Sequence, residues 1–201
     1  MPPEAPIETH PFAPVLPPQA TVMMMGSFPP TEDKRCMAFH YPNFGNDMWR
    51  IYGLVFFGDA AHFQAAGEKR FEADRIRAFL MARGIALCPA VRRARRERGN
   101  ASDRFLTVIE PVNLGEVLAQ VPRCRALFAT GGKAAEVLLG LLHGTGNKLP
   151  VLKTGQSLPF DYAGRRLTLH RLPSTSRAYP LALAEKARIW RDFFAAQGLL
   201  A

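Results

Sequence analysis

Two segments carry the side chains best suited to chemistry. The first reads Gly26-Ser27-Phe28-Pro29-Pro30 and resumes at Phe39-His40-Tyr41-Pro42-Asn43-Phe44-Gly45-Asn46-Asp47-Met48-Trp49. Its opening glycine permits a tight turn that brings backbone N–H groups close to a ligand. Phe28, Tyr41 and Phe44 offer flat apolar faces suited to stacking on a planar base. Asn46 combines one acceptor with two donors, which suits a base edge or a held water. The same residues could instead fill a core, with Asn46 or Asp47 capping a helix. The second segment reads Leu172-Pro173-Ser174-Thr175-Ser176-Arg177-Ala178-Tyr179-Pro180. Three hydroxyls and an arginine between prolines make a rigid loop of small residues, able to approach a phosphate backbone closely. Ser176 could equally begin the C-terminal helical region.

Charge adds a third signal. Lys and Arg total 26 against 17 Asp and Glu in 201 residues, a net charge of +9. Residues 92–98 hold five arginines and one glutamate, so this stretch alone supplies +4. Arg92, Arg93, Arg95 and Arg96 therefore read as an exposed loop for a polyanion, because guanidinium forks hold phosphates bidentately. A solvated loop in an arginine-rich protein is the plainer alternative. Thr130-Gly131-Gly132-Lys133 suggests a nucleotide site only weakly, since a phosphate loop needs more spacing and a hydroxyl where Ala134 stands. Cys36, Cys88 and Cys124 are scattered, as are His10, His40, His62, His143 and His170. That dispersal predicts no metal and no cofactor.

The elements that position these segments follow from apolar patterning. With 48% hydrophobic and 21% charged residues, the chain can bury a sizeable core. No apolar run nears the roughly 20 residues of a spanning helix, and the N-terminus lacks a signal-peptide pattern. The expectation is a cytoplasmic protein with no membrane contact. Residues 1–20 are proline-rich and read as an irregular or extended arm, leaving 21–201 as a single domain. Strands are predicted at 21–25, 85–88, 126–129, 158–162 and 165–172, the last two joined at Ala163-Gly164. Helices are predicted at 47–57, 68–83, 114–121, 134–142 and about 181–196, with a helical turn from Ser102 or Asp103 to Ile109. This alternation implies an α/β sandwich with a mainly parallel sheet. The loops after Met25, Cys88, Ala129 and Leu172 then share one rim, at the carboxyl ends of the strands.

Taken together, Gly26-Ser27-Phe28-Pro29, the Asn46-x-x-Trp49 helix start and Leu172-Pro173-Ser174-Thr175-Ser176 resemble the two active-site motifs of the uracil-DNA glycosylase superfamily. The branch most similar groups mismatch-type uracil and hypoxanthine DNA glycosylases. Gly99-Asn100-Ala101-Ser102-Asp103 and Gly132-Lys133-Ala134 fall where that branch has similar sequences, so the likeness spans roughly residues 23–190. It implies a three-layer α/β/α sandwich around a four-stranded parallel sheet. It also implies base excision by a monomeric, DNA-binding hydrolase in base excision repair. The partner is DNA with deaminated or mismatched bases, and the protein is nucleoid-associated when bound. A damaged nucleotide is flipped from the helix and its N-glycosidic bond is cut.

By position, Asn46 would align and polarise a water. Asp47, a stronger base, is the alternative. Backbone N–H groups of Gly26, Ser27 and Phe28 would hold base oxygens, with Pro29 beside them in the base pocket. Tyr41 or Phe44 would sandwich the ring, and Ser174, Thr175, Ser176 and Arg177 would pinch the backbone and enter the gap left in the DNA. Some relatives place a histidine where Leu172 stands, with His170 two residues earlier, and many place an aspartate at the Cys88-Pro89-Ala90 loop. The readings that remain are a uracil glycosylase, a hypoxanthine glycosylase, and a nucleic-acid-binding protein with the fold but without activity.

Overall fold

Alternation along the buried strands sets the layering. In the computed structural model, which describes residues 5–98, 103–143 and 150–200, strand β2 (Val22–Met25) is buried throughout. Successive side chains of a strand face opposite sides. Val22 and Met24 therefore join one apolar cluster while Met23 and Met25 join the other. A shorter strand, β1 (Ile7–Thr9), precedes β2 in the chain. Strands β3 (Ile85–Leu87), β6 (Ala126–Ala129) and β8 (Arg165–Arg171) flank β2 in the order β3-β2-β6-β8, all parallel. A fifth strand, β7 (Ser157–Tyr162), pairs antiparallel with β8 at the edge. Their hairpin turns at Ala163 and Gly164, both at positive φ, the geometry that matches the twist of paired strands.

On one face lie α1 (Met48–Phe57), α2 (Ala73–Arg83) and α5 (Leu183–Ala196); on the other lie α3 (Leu114–Gln120) and α4 (Gly132–His143). The chain is thus the three-layer α/β/α sandwich anticipated from its pattern. Helix α2 starts later than residue 68. Phe71 is buried and bridges Gln64, which holds the preceding residues in a turn.

The arginine-rich stretch is not a loop. Val91–Arg96 forms β4, the centre of a second, antiparallel sheet ordered β1-β4-β5, where β5 is Leu106–Pro111. Val91 and Ala94 turn inward onto Leu106 and Phe28, while Arg92 and Arg93 face solvent. The helical turn anticipated up to Ile109 is confined to Asp103–Phe105. Beyond it Thr107, Val108 and Ile109 are β-branched and favour the pleated strand they form. Gly99, Asn100, Ala101 and Ser102 lie outside the described residues, and so does a cap at Ser102.

The proline-rich arm lies along this assembly. Its residues 7–9 form β1, and Val15 exchanges two backbone hydrogen bonds of 2.8 Å with Leu87 at the sheet edge.

Helices α1 and α5 meet through aromatic rings. Tyr52 lies 6.0 Å from Trp190 and 5.5 Å from Phe194, centroid to centroid, and Trp49 lies 5.4 Å from Tyr52. This contact brings the start of α5 beneath the start of α1, where the first chemical segment ends. Trp190→Ala is expected to cost about 3–5 kcal/mol through lost burial and a residual cavity. Equilibrium urea unfolding measures it; a loss below about 1 kcal/mol would mean that this layer does not organise the fold.

Candidate active site

Gly26 follows Met25, the last residue of β2, and there the chain meets the ring of Tyr41. A Cβ on Gly26 would collide with the Tyr41 hydroxyl oxygen and lie 3.0 Å from the ring carbon bearing it. Only glycine lets the two segments approach this closely. Tyr41 itself sits at φ 52° and its hydroxyl bonds Thr130 Oγ1 at 2.6 Å. Thr130 follows β6, so this phenol ties the ends of neighbouring strands together. Burial pushes its pKa up, leaving it neutral.

Around this junction lies a cavity of about 710 Å³. Gly26 and Ser27 line it after β2, Cys88 and Pro89 after β3, Thr130 and Gly131 after β6, and the second chemical segment after β8. The four loops thus share the rim predicted from strand order. Asn46 lines the same cavity as Gly26, Ser27, Phe28, Pro29 and Tyr41, together with Ser174, Thr175, Ser176 and Arg177.

Asn46 and Asp47 are adjacent in sequence but differ in environment. Asn46 Oδ1 accepts the Met48 N–H at 2.9 Å, and its side-chain nitrogen makes no hydrogen bond among the described residues. The Arg50 guanidinium holds the carbonyls of Phe44 and Asn46 at 2.7 and 3.0 Å, fixing this corner. Asp47 is 6% exposed and is absent from the cavity wall. Its carboxylate accepts Lys186 Nζ at 2.9 Å and lies 3.6 Å from Arg177 Nε. Lys186 Nζ also donates to the Ser176 carbonyl at 2.8 Å, and the Asp47 N–H donates to the Thr175 carbonyl at 2.9 Å. The two chemical segments are therefore stitched to each other behind the cavity.

Two expected contacts are corrected. Phe44 does not face the cavity; it packs 5.1 Å from Phe71 with the Arg50 guanidinium 4.5 Å from its ring. The charge that covers it satisfies the aromatic face from outside the pocket. Arg96 is not available to phosphate, being 4% exposed, with its guanidinium bonded to Glu8 and the Pro29 carbonyl and stacked 5.2 Å from Phe28. It supports the pocket loop from behind. Arg92 and Arg93 are exposed and pair with Glu110, Arg95 is half-buried, and none of the three lines the cavity. His170 also stands outside it, half-buried 5.0 Å from Phe193.

Asp103, Cys88 and His10 also line the cavity, although the sequence pattern assigns none of them to the site. Asp103 accepts the Ser27 hydroxyl at 2.7 Å. Burial pushes its carboxyl up, partly offset by that hydrogen bond and by Lys133 and Arg96. Cys88 is buried and its thiol is raised to about 12, so it stays protonated. His10 comes from the N-terminal arm and stacks on His40 with centroids 5.4 Å apart. A histidine amid prolines gives no local signal of this, because strand pairing to β4 brings it there. Among the described residues, no three His, Cys, Asp or Glu side chains are grouped to hold a metal ion, and no helix is long and apolar enough to cross a membrane.

Parallel strands with a cavity at their carboxyl rim, inside an α/β/α sandwich, define the structural class. A solution NMR structure of a candidate uracil DNA glycosylase from Methanosarcina acetivorans is similar in fold. The match has a TM-score of 0.61 and 22% sequence identity, covering 92% of this chain and 98% of the other. At that identity the likeness is one of fold. No protein-family profile and no curated protein matches the sequence.

The paired histidines make stability depend on pH. Burial is the main cause in both, lowering His10 to about 4 and His40 to about 3 from the usual 6.5. Between those values and 6.5 the unfolded chain binds protons that the folded chain does not. Their contribution is complete above pH 6.5 and lost as pH falls. The melting temperature should therefore decline from pH 6.5 downward, ahead of carboxylate titration. His40 Nε2 donates to the Ala13 carbonyl at 2.9 Å. His40→Gln, which keeps a donor without a titrating ring, should flatten the decline between pH 6.5 and 5; an unchanged slope would remove His40 as its source.

Proposed function

We propose that this chain is a DNA glycosylase that hydrolyses the N-glycosidic bond of a flipped, deaminated base, most readily uracil, with hypoxanthine as the alternative substrate. One observation carries the reading: Asn46 and the Gly26-Ser27-Phe28 turn line one cavity, with the exposed Ser176 and Arg177 of the second segment on its wall. The resemblance of those same segments to the uracil-DNA glycosylase superfamily supports it, as does the fold shared with the archaeal protein.

The reaction moves the bonding pair of the C1′–N bond onto the departing base. Water supplies a hydroxyl to C1′ and its proton goes to the base. A sugar that gathers positive charge needs no strong nucleophile. It needs a placed water and donors for the charge on the leaving base. Asn46, whose side-chain nitrogen is unengaged, places that water. Backbone N–H groups of residues 26–28 hold the base oxygens, and Phe28 and Tyr41 flank its plane. Asp47 serves instead as the anchor of Lys186. The hydroxyl loop at 174–177 pinches the backbone, and Arg177 enters the gap left by the flipped nucleotide. The energy for flipping, a few kcal/mol, is smallest at a mismatched or deaminated base.

Incubation with duplexes carrying uracil or hypoxanthine, followed by alkali, should yield strand cleavage. Binding without cleavage on every lesion would leave a nucleic-acid-binding protein of the same fold. Asn46→Ala should lower single-turnover cleavage at least about a hundredfold while DNA affinity is preserved; unchanged cleavage would remove Asn46 from the mechanism. Arg92 and Arg93 are assigned to phosphate tracking on β4. Exchanging both for Glu should weaken binding to all sequences and reduce the salt slope by about 0.9 per lost contact. Affinity that does not change would mean that these arginines face only Glu110 and solvent.

A further inference from the structure

Asp103 occupies the cavity wall without a part in the scheme above. Its Oδ1 is taken by the Ser27 hydroxyl at 2.7 Å. Its Oδ2 makes no hydrogen bond among the described residues and is not sealed from solvent. That oxygen lies beside Gly131, 3.8 Å from where a Cβ would stand, and Gly131 is also in the wall. The carboxylate thus sits over the ends of two adjacent strands, β2 and β6, oriented by one hydrogen bond and with an acceptor left over. A negative charge in a cavity that receives a polyanion opposes binding unless the ligand compensates it. Lys133 and Arg96 favour its ionised form, while Glu136 opposes it.

The compensation can come from the base. Deamination replaces an exocyclic amine by a carbonyl and moves a hydrogen to the neighbouring ring nitrogen. Cytosine N3 and adenine N1 are lone-pair acceptors, whereas uracil N3 and hypoxanthine N1 carry N–H. An ionised carboxylate only accepts hydrogen bonds. It pairs with the deaminated ring and repels the lone pair of the parent.

We propose that Asp103, oriented by Ser27, distinguishes a deaminated base from its parent by accepting the lactam ring N–H. This rests on reading the cavity as a base pocket. The discrimination is of the kind in which the wrong ligand leaves a buried polar group unpaired, and such sites reject more strongly than apolar ones. It also accounts for why uracil and hypoxanthine, different in size, could enter one site: they share the same carbonyl and N–H edge.

The test measures binding rather than cleavage. Fluorescence anisotropy of the full chain is recorded with single-stranded oligonucleotides carrying one 2′-fluoro-arabino-uridine or the matching cytidine, whose glycosidic bonds resist hydrolysis. The wild-type chain should prefer the uridine at least about tenfold, as expected for a hydrogen bond to a charged group. Asp103→Asn, whose amide offers donor or acceptor, should bring the ratio close to one. Ser27→Ala, which keeps the carboxylate but frees it to rotate, should lower the ratio part way. It serves as the deciding variant if Asp103→Asn does not fold.

A wild-type ratio near one, or a ratio unchanged in the variants, overturns the proposal. Asp103→Asn that loses uracil cleavage while keeping the binding ratio also overturns it, and would make Asp103 act on water. Uracil cleavage by the wild-type chain, measured in parallel, decides the glycosylase reading separately. Cleavage with an unchanged ratio sinks only the role of Asp103. Discrimination without cleavage sinks only the enzymatic reading.

Discussion

A single buried ammonium group holds the site in register. Lys186 is 1% exposed, and a charge so placed is costly unless paired and hydrogen-bonded. Its partners come from the two segments that carry the site chemistry: the carboxylate of Asp47 and the carbonyl of Ser176. The pairing follows from packing. Trp190 and Phe194 on α5 meet Tyr52 on α1, and Lys186 lies one turn before Trp190 on the same buried stripe. The aromatic layer thus delivers the ammonium to the start of α1. Removing either ionic partner would strand the other, so the loop at 174–177 and the corner at Asn46 keep a constant relation.

The polar character of the cavity is restricted for a related reason. Burial keeps the Tyr41 phenol, the Cys88 thiol and the rings of His10 and His40 uncharged near neutrality. They provide shape and hydrogen-bonding groups rather than charge. The cavity-wall groups left to address a polar ligand with their side chains are chiefly Asn46, Ser27 and Asp103, together with Ser174, Ser176 and Arg177 of the second segment. A reaction that needs a strong nucleophile or a metal-activated group would find few side chains here suited to it. One that needs oriented hydrogen-bonding groups finds them in Asn46 and Ser27. The arm contributes to this through His10, which reaches the wall because β1 pairs with β4.

Much of the sheet was legible in the sequence because β2, β3 and β6 are short, continuously apolar runs followed within two residues by glycine or proline. Residues 126–129 form the strand anticipated for them, and the hairpin turns where Ala163-Gly164 indicated. The shared rim followed from strand order alone. The second sheet was not legible. Its central strand is rich in arginine, and its stability comes from pairing with residues 7–9, far away in sequence, and with 106–111 beyond the intervening turn. Phe44 and Arg96 were misread for the same reason: a side chain's exposure is decided by what covers it, here Arg50 and Glu8. Asp103 was visible as part of a motif, but nothing local said that it would meet Ser27, 76 residues earlier.

The sequence by itself determined the layered α/β architecture and the two segments that would meet at the strand ends. Both follow from local periodicity and turn chemistry, which act over a few residues. Only the tertiary structure decided which members of those segments face the cavity. It turned Asn46 inward and Asp47 away, because a lysine 139 residues from Asp47 needed a carboxylate more than the cavity did. Burial of a charge is a long-range constraint, and no pattern within either segment records it.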